Sequence, residues 1–226
     1  TIYIFAAVGF ETTVPVYALL LQEAEETGVR NIRLLTSLKT MPPAIDWICR
    51  NNQGVDGFLA PGHVSVVTGS RAFAPLARDY QIPFAVAGFT GEQILAAIAA
   101  LVQNLGKGVV MNLYRSAVTE EGNQKAQALI NRYFVPCGAA WRGLGVIPGS
   151  GMALREEYRH YDAGSSHLIL DQELNPACRC ASVLTGSISP AQCPLFGKTC
   201  TPQSPQGSCM VSMEGSCYHH FLNHRR

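Results

Sequence analysis

Six of the eight cysteines fall between Cys178 and Cys217, in the run CRCASVLTGSISPAQCPLFGKTCTPQSPQGSCMVSMEGSC. Thiols at that density, in a segment rich in Gly, Pro and Ser, point to three chemistries: an iron-sulfur cluster, a thiolate-bound zinc, or a set of disulfides. The segment has little apolar periodicity, so it buries too little side chain to offset its own ordering entropy. Something covalent or metallic is therefore expected to hold it. Disulfides fit poorly, because no long apolar run implies secretion and the other two cysteines, Cys49 and Cys137, sit in ordinary α/β-type sequence. Zinc and iron both accept four thiolates, and the residues alone leave that choice open. Structural zinc sites usually show two short Cys-x2-4-Cys knuckles, whereas Cys178 and Cys180 have a single residue between them. Cys180 is a ligand or a bystander on this reading.

The rest of the chain must supply the scaffold. With 226 residues and 47% hydrophobic content it can build one large or two small domains plus the cysteine-rich appendage. A net charge of +1 argues against an electrostatic grip on nucleic acid or membrane. No apolar stretch approaches the ~20 residues of a transmembrane helix. Reduced cysteines make the cytoplasm the expected compartment.

The chain then reads as a repeated strand-and-helix beat. IYIFAAV reads as a buried strand that usually has neighbours before it, so the chain is expected to be a fragment whose beginning is missing. Gly9-Phe10-Glu11-Thr12-Thr13 turns into a helix that Gly28 stops, placing Glu11, Thr12 and Thr13 at the carboxyl edge of a sheet, where ligands bind in open α/β folds. The plainer alternative is that Thr12 or Thr13 caps the helix. IRLLTSL is the next strand, and Pro42-Pro43 open the next helix. GVDGFLAPG leads through His63 into a helical pattern expected to break near Pro75. His63 is either an edge group acting as ligand, base or anion contact, or a polar first-turn residue. IPFAVAGF is a strand, and Thr90-Gly91-Glu92-Gln93 opens an apolar helix. VVMNLYRSAV reads as a strand of mixed exposure, followed by a helix with a polar face. Arg115 on its own is a candidate surface ion pair, and Cys137 reads as a buried small hydrophobe. The glycines of WRGLGVIPGSG match neither a dinucleotide fingerprint nor a Walker A loop, which excludes NAD and ATP sites there. No Cys-x3-Cys-x2-Cys run is present, which disfavours a radical S-adenosylmethionine enzyme.

Cys178, Cys193, Cys200 and Cys217 read as Cys-x14-Cys-x6-Cys-x16-Cys. With the flanking words CPLFGKTCTP and CMVSMEGSC, this resembles the carboxy-terminal cluster motif of the HypD family of [NiFe] hydrogenase maturation proteins. GFETT, APGHVSVV, Asn112-Leu113-Tyr114-Arg115, Glu121-Gly122-Asn123, WRGLGVIPGSG and REEYRHYDA resemble further words of that family. The resemblance implies that Cys178, Cys193, Cys200 and Cys217 hold a [4Fe-4S] cluster, with Cys180 and Cys209 as extra thiols nearby. It places Glu11, Thr12, Thr13 and His63 in a cleft, and offers Arg115 and Asn123 for an anionic iron-cyanide fragment or a partner carboxylate. It implies a redox-active assembly scaffold rather than a conventional enzyme. Such a scaffold works with a HypC-like chaperone, carries iron while CN and CO ligands are attached, takes cyanide from a HypE-like donor, and serves the hydrogenase large subunit indirectly.

In one respect the chain departs from that pattern. The family's Cys-Gly-Thr-His and Cys-Pro-Val-Cys words precede GFETT, and neither occurs here. No catalytic cysteine is assigned, and this fragment is expected neither to complete the iron site alone nor to cover its first strand, leaving an open sheet edge. The expected architecture is α/β, with two Rossmann-like, mostly parallel lobes at 1–87 (incomplete) and 88–170, and an irregular iron-sulfur domain at 171–226. The alternative function is a cluster- or zinc-binding interaction module without chemistry of its own.

Overall fold

The computed structural model describes residues 1–51, 54–168 and 175–223. In chain order the regular elements begin with β1 (Tyr3–Gly9), α1 (Val14–Thr27), β2 (Ile32–Lys39) and α2 (Met41–Asn51). Next come β3 (Phe58–Pro61), α3 (Gly62–Thr68), α4 (Ala74–Tyr80), β4 (Phe84–Ala87), α5 (Gly91–Gln103) and β5 (Val110–Asn112). They are followed by α6 (Gln124–Tyr133), β6 (Phe134–Trp141), β7 (Gly145–Leu154), α7 (Cys180–Leu184), α8 (Ser208–Val211) and α9 (Ser216–Asn223). The expected α/β class holds, with two sheets of ordered strands β1-β2-β7-β6 and β3-β4-β5. The chain starts the first sheet, leaves to build the second, and returns to finish the first.

The second sheet is parallel throughout, with Phe84 opposite both Phe58 and Val110. Its central strand β4 is buried at all four residues, as a strand covered on both faces requires. Phe84 stacks on Phe58 at 4.9 Å and on Phe73 at 5.5 Å, forming the middle of a core with Ile45, Val86 and Val118. The first sheet is mixed: β1 and β2 run parallel from Tyr3↔Ile32 to Gly9↔Leu38, while β2 and β7 are antiparallel at Leu38↔Met152. Its core gathers Ala18, Leu21, Leu34, Leu38, Tyr133 and Phe134.

Several local signals act as the sequence suggests. Gly28 ends α1 in a left-handed conformation, with φ 71°. Thr90 and Gln93 form a reciprocal capping box at the start of α5.

Other expectations are corrected. β1 is not buried: it is an edge strand with β2 as its neighbour, and Ile2, Tyr3, Ile4 and Val8 are exposed. Its β-branched and aromatic residues report strand propensity, which says nothing about how many faces are covered. The helical run after His63 breaks at Gly69, not Pro75, which instead sits in the first turn of α4. Gly69 has φ 82°, and a side chain there would run into the Glu120 carbonyl and the Gly122 amide. That close approach lets Ser70 and Arg71 donate backbone N–H bonds to Thr119 and Glu120. REEYRHYDA folds as a 3-10 helix, Glu156–Tyr161.

The chain divides into two compact units. One holds both sheets and spans Thr1–Cys49, Asp56–Ala139 and Pro148–Leu168. The other gathers Arg50–Val55, Ala140–Ile147 and the described part of Ile169–Arg226.

Candidate functional site

In the cysteine-rich unit, short helices and turns fold around sulfur. Cys180 starts α7, Cys209 lies in α8, Cys217 is the second residue of α9, and Cys193 and Cys200 sit on the turns between. Cys193 and Cys200 are 8% and 5% exposed, Cys217 is 5% exposed, and Cys178 is half-buried. Val183, Met210 and Phe221 complete the core, flanked by Ile188, Leu195 and Phe196.

The thiols are close enough to feel one another. Burial raises the Cys178 thiol, a hydrogen bond from the Cys180 backbone opposes this in part, and the nearby Cys193 and Cys200 add to the rise. Burial likewise raises Cys217, with Cys180, Cys200 and Cys193 reinforcing it by like-charge repulsion. Cys209 Sγ lies 3.0 Å from both Cys180 Sγ and Cys217 Sγ, within thiol hydrogen-bond distance of each. The hydrogen bond shared by Cys180 and Cys209, with help from Ser208, holds Cys180 down to about 6 and Cys209 well up. The Gln206 N–H points at Cys200 Sγ from 3.4 Å. A side chain at Gly207 would stand 2.7 Å from Cys178 Sγ, so the backbone approaches the sulfur where only glycine leaves room. The tip of the β6–β7 connection joins the same unit, with Ser208 Oγ donating to the Arg142 carbonyl. Among the described residues, no three His, Cys, Asp or Glu side chains are grouped as a single-ion site.

The sheet-built unit carries the other candidates on two neighbourhoods. At the carboxyl ends of β1 and β2, Glu11 is 6% exposed and accepts a 2.6 Å hydrogen bond from the Met41 N–H through Oε1. Its Oε2 is buried with no partner, and burial raises the carboxyl above its usual range. Thr13 occupies the N-cap of α1 without a side-chain capping bond. Thr12 is exposed in the preceding turn.

At the carboxyl ends of β3, β4 and β5, the His63 ring lies 4.3 Å from Phe89, which meets Tyr114 edge-on at 6.5 Å. Phe89 was not singled out by the sequence and Tyr114 only as part of the word at Asn112, although both follow strand ends, the positions from which such edges are built. Arg115 is exposed and its Nε donates to the Asn112 carbonyl at 3.4 Å. The Asn123 side chain caps α6 by accepting from the Ala126 N–H, and its backbone N–H donates to Val66 and Val67. The EGN turn is thereby laced to the end of α3. Among the described residues no hydrogen bond or ring contact joins Glu11 to His63. Cys137 is half-buried beside Gly151 rather than sunk in a core.

No helix among the described residues is long and apolar enough to cross a membrane. The sequence model of the HypD family, described as the hydrogenase formation hypA family, matches residues 1–224. The chain is 41% identical over 220 residues to the hydrogenase maturation factor HypD of Escherichia coli K12, covering 95% of this chain and 59% of that protein. It is 40% identical over 226 residues to the hydrogenase expression/formation protein HupD of Azotobacter chroococcum, again covering 95% of this chain and 59% of that relative. The HypD of Azotobacter vinelandii matches at 40% over 225 residues, with the same coverage. The chain thus spans about 59% of the length of these relatives. A family match over nearly every residue, together with this level of identity, establishes that the chain belongs to the HypD family.

Proposed function

We propose that this chain is the cluster-bearing part of a hydrogenase maturation scaffold, with Cys178, Cys193, Cys200 and Cys217 as ligands of a [4Fe-4S] cluster. The observation that carries the reading is that Cys200 and Cys217 lie in one small core with Cys178 packed against it, while Cys193 is buried and near enough to act electrostatically on Cys178 and Cys217. A four-iron cluster takes one thiolate per iron around a cage, whereas zinc asks its donors to converge on one ion. Bound there, the cluster would supply electrons one at a time. The Gln206 N–H steadies negative charge on Cys200, Gly207 gives the backbone room beside Cys178, and Met210, Phe196 and Phe221 keep water out. Cys180 and Cys209 form a neighbouring thiol pair, their sulfurs 3.0 Å apart.

In this proposal the scaffold works with a HypC-like chaperone and a HypE-like cyanide donor. Iron is the cargo, carried while its Fe(CN)2CO ligand set is assembled for the hydrogenase large subunit. Glu11, Thr12, Thr13 and His63 lie at strand ends suited to receiving cargo, and Arg115 offers an exposed guanidinium for an anionic group.

Anaerobically purified protein is the test. About four irons and four acid-labile sulfides per chain, with visible absorption that bleaches on reduction, is the expected result. Stoichiometric zinc without visible absorption, from iron-replete cells, would instead favour an interaction module without redox chemistry.

A further inference from the structure

The sheet-built unit has a groove of about 620 Å³ that the proposed scaffold function does not use, lined by Glu25, Arg30, Arg33, His160 and Tyr161. It lies at the amino end of β2 and the carboxyl end of α1, so the strand separates it from the Glu11 neighbourhood. Its volume falls within the ~300–1,000 Å³ of small-molecule sites.

The charges in it are unbalanced. Arg30 makes no side-chain hydrogen bond or ion pair among the described residues and is exposed. Arg33 is held in place: its Nη1 donates to the Arg30 carbonyl at 2.8 Å and the Ile32 carbonyl at 2.7 Å, which fixes the guanidinium plane and leaves Nε and Nη2 for a ligand. Glu25, the one carboxylate in the groove, is already engaged through Oε2 by Arg132 at 3.0 Å and the Tyr133 hydroxyl at 2.5 Å. The His160 ring rests 4.2 Å from Tyr161, whose hydroxyl is tied to the Val29 carbonyl. Burial raises the Tyr161 phenol, Glu25 adds to the rise, and Arg30 and Arg33 oppose it, so both guanidiniums reach the same spot electrostatically.

We infer that this groove binds a phosphoryl dianion, with Arg33 as the fixed fork, Arg30 as the second cation and the His160 ring N–H as a further donor. A fixed guanidinium loses little freedom on pairing with phosphate, and two guanidiniums match its charge. The shared chemistry has two sources, free inorganic phosphate and a small phosphate monoester. The site is independent of the cluster.

Isothermal titration of the whole chain with inorganic phosphate, ribose 5-phosphate and ribose separates them. Saturable binding of either phosphate, absent with ribose, is expected to weaken about tenfold in Arg30→Gln, where one charged contact is removed from an exposed position. Arg33→Lys keeps the charge but loses the fork, and should weaken binding by a similar factor without moving the melting temperature. Tighter binding of ribose 5-phosphate than of phosphate identifies a monoester, and equal binding identifies the free ion. No saturable binding by roughly ten millimolar, far weaker than such a charge-assisted pair of contacts would give, overturns the inference, as does unchanged affinity in the Arg30→Gln, Arg33→Gln double variant.

Discussion

Phe84 in the sheet-built unit and Cys200 in the cysteine-rich unit are buried to nearly the same degree, at 0% and 5% exposure, yet they are held by different means. Phe84 sits on a strand paired on both sides and stacks on two other aromatic rings. Cys200 sits on a turn, in a core where four of the seven buried residues are cysteines, so that core gains little from dispersion and area. Its helices are short: α7 has five residues and α8 has four. Neither length is enough for a helix to sustain itself. The contrast teaches that one unit is held by its apolar side chains, whereas the other puts thiols where such side chains would sit.

The strongest way to break that comparison is Cys200→Ala. Iron and sulfide content should fall from about four each to near zero, and amides of α8 and α9 should lose hydrogen-exchange protection while those of β4 keep theirs. Simultaneous loss of protection in β4 would show that the two units are not independently held. Phe84→Ala is the converse and the next largest effect, expected to cost about 3–5 kcal/mol in denaturant-induced unfolding of the sheets. The visible absorption of the folded protein should stay unchanged.

The difference between the units also governs what the sequence revealed. Strand-helix alternation, the stop at Gly28 and the Thr90–Gln93 capping box were legible because each depends on residues a few positions apart. The strand at β1 was legible and its open edge expected, but its residues were misread as buried, since composition signals a strand without counting its neighbours. The break at Gly69 was hidden because its cause, the Glu120–Gly122 backbone, lies some fifty residues away. The density of cysteines made a gathering of thiols legible, but the placing of Cys209 between Cys180 and Cys217 depends on turns that carry no periodic signal. The meeting of His63 with Phe89 and Tyr114 joins three strand ends, and no single stretch contains it.

Gly69→Ala sharpens the comparison at intermediate size. Left-handed backbone and contact with the Glu120 carbonyl should together cost about 1–3 kcal/mol, read as a lower unfolding midpoint of the sheet-built unit. If the cost is absent, the loop at 119–123 yields, and the lacing of the EGN turn to α3 is looser than its hydrogen bonds suggest.

The smallest effect, and the one with a pH signature, belongs to Glu11. Burial raises its folded-state carboxyl, and the Met41 N–H donating to Oε1 opposes this only in part. A raised folded value means that folding favours the protonated form. The associated stability is full below the unfolded carboxylate range and is lost as pH rises through the folded value. Glu11→Gln keeps an acceptor for Met41 and cannot titrate. The stability of the parent relative to this variant should therefore fall by about 1.4 kcal/mol for each pH unit between the two values, then level off. Denaturation midpoints from about pH 4 to about pH 8 give the curve. A flat difference would mean that the buried Oε2 gains a partner on ionising, and would remove the pH response from the β1–β2 edge. A sloping one, with cluster absorption unaltered, would place this proton in the sheet-built unit alone.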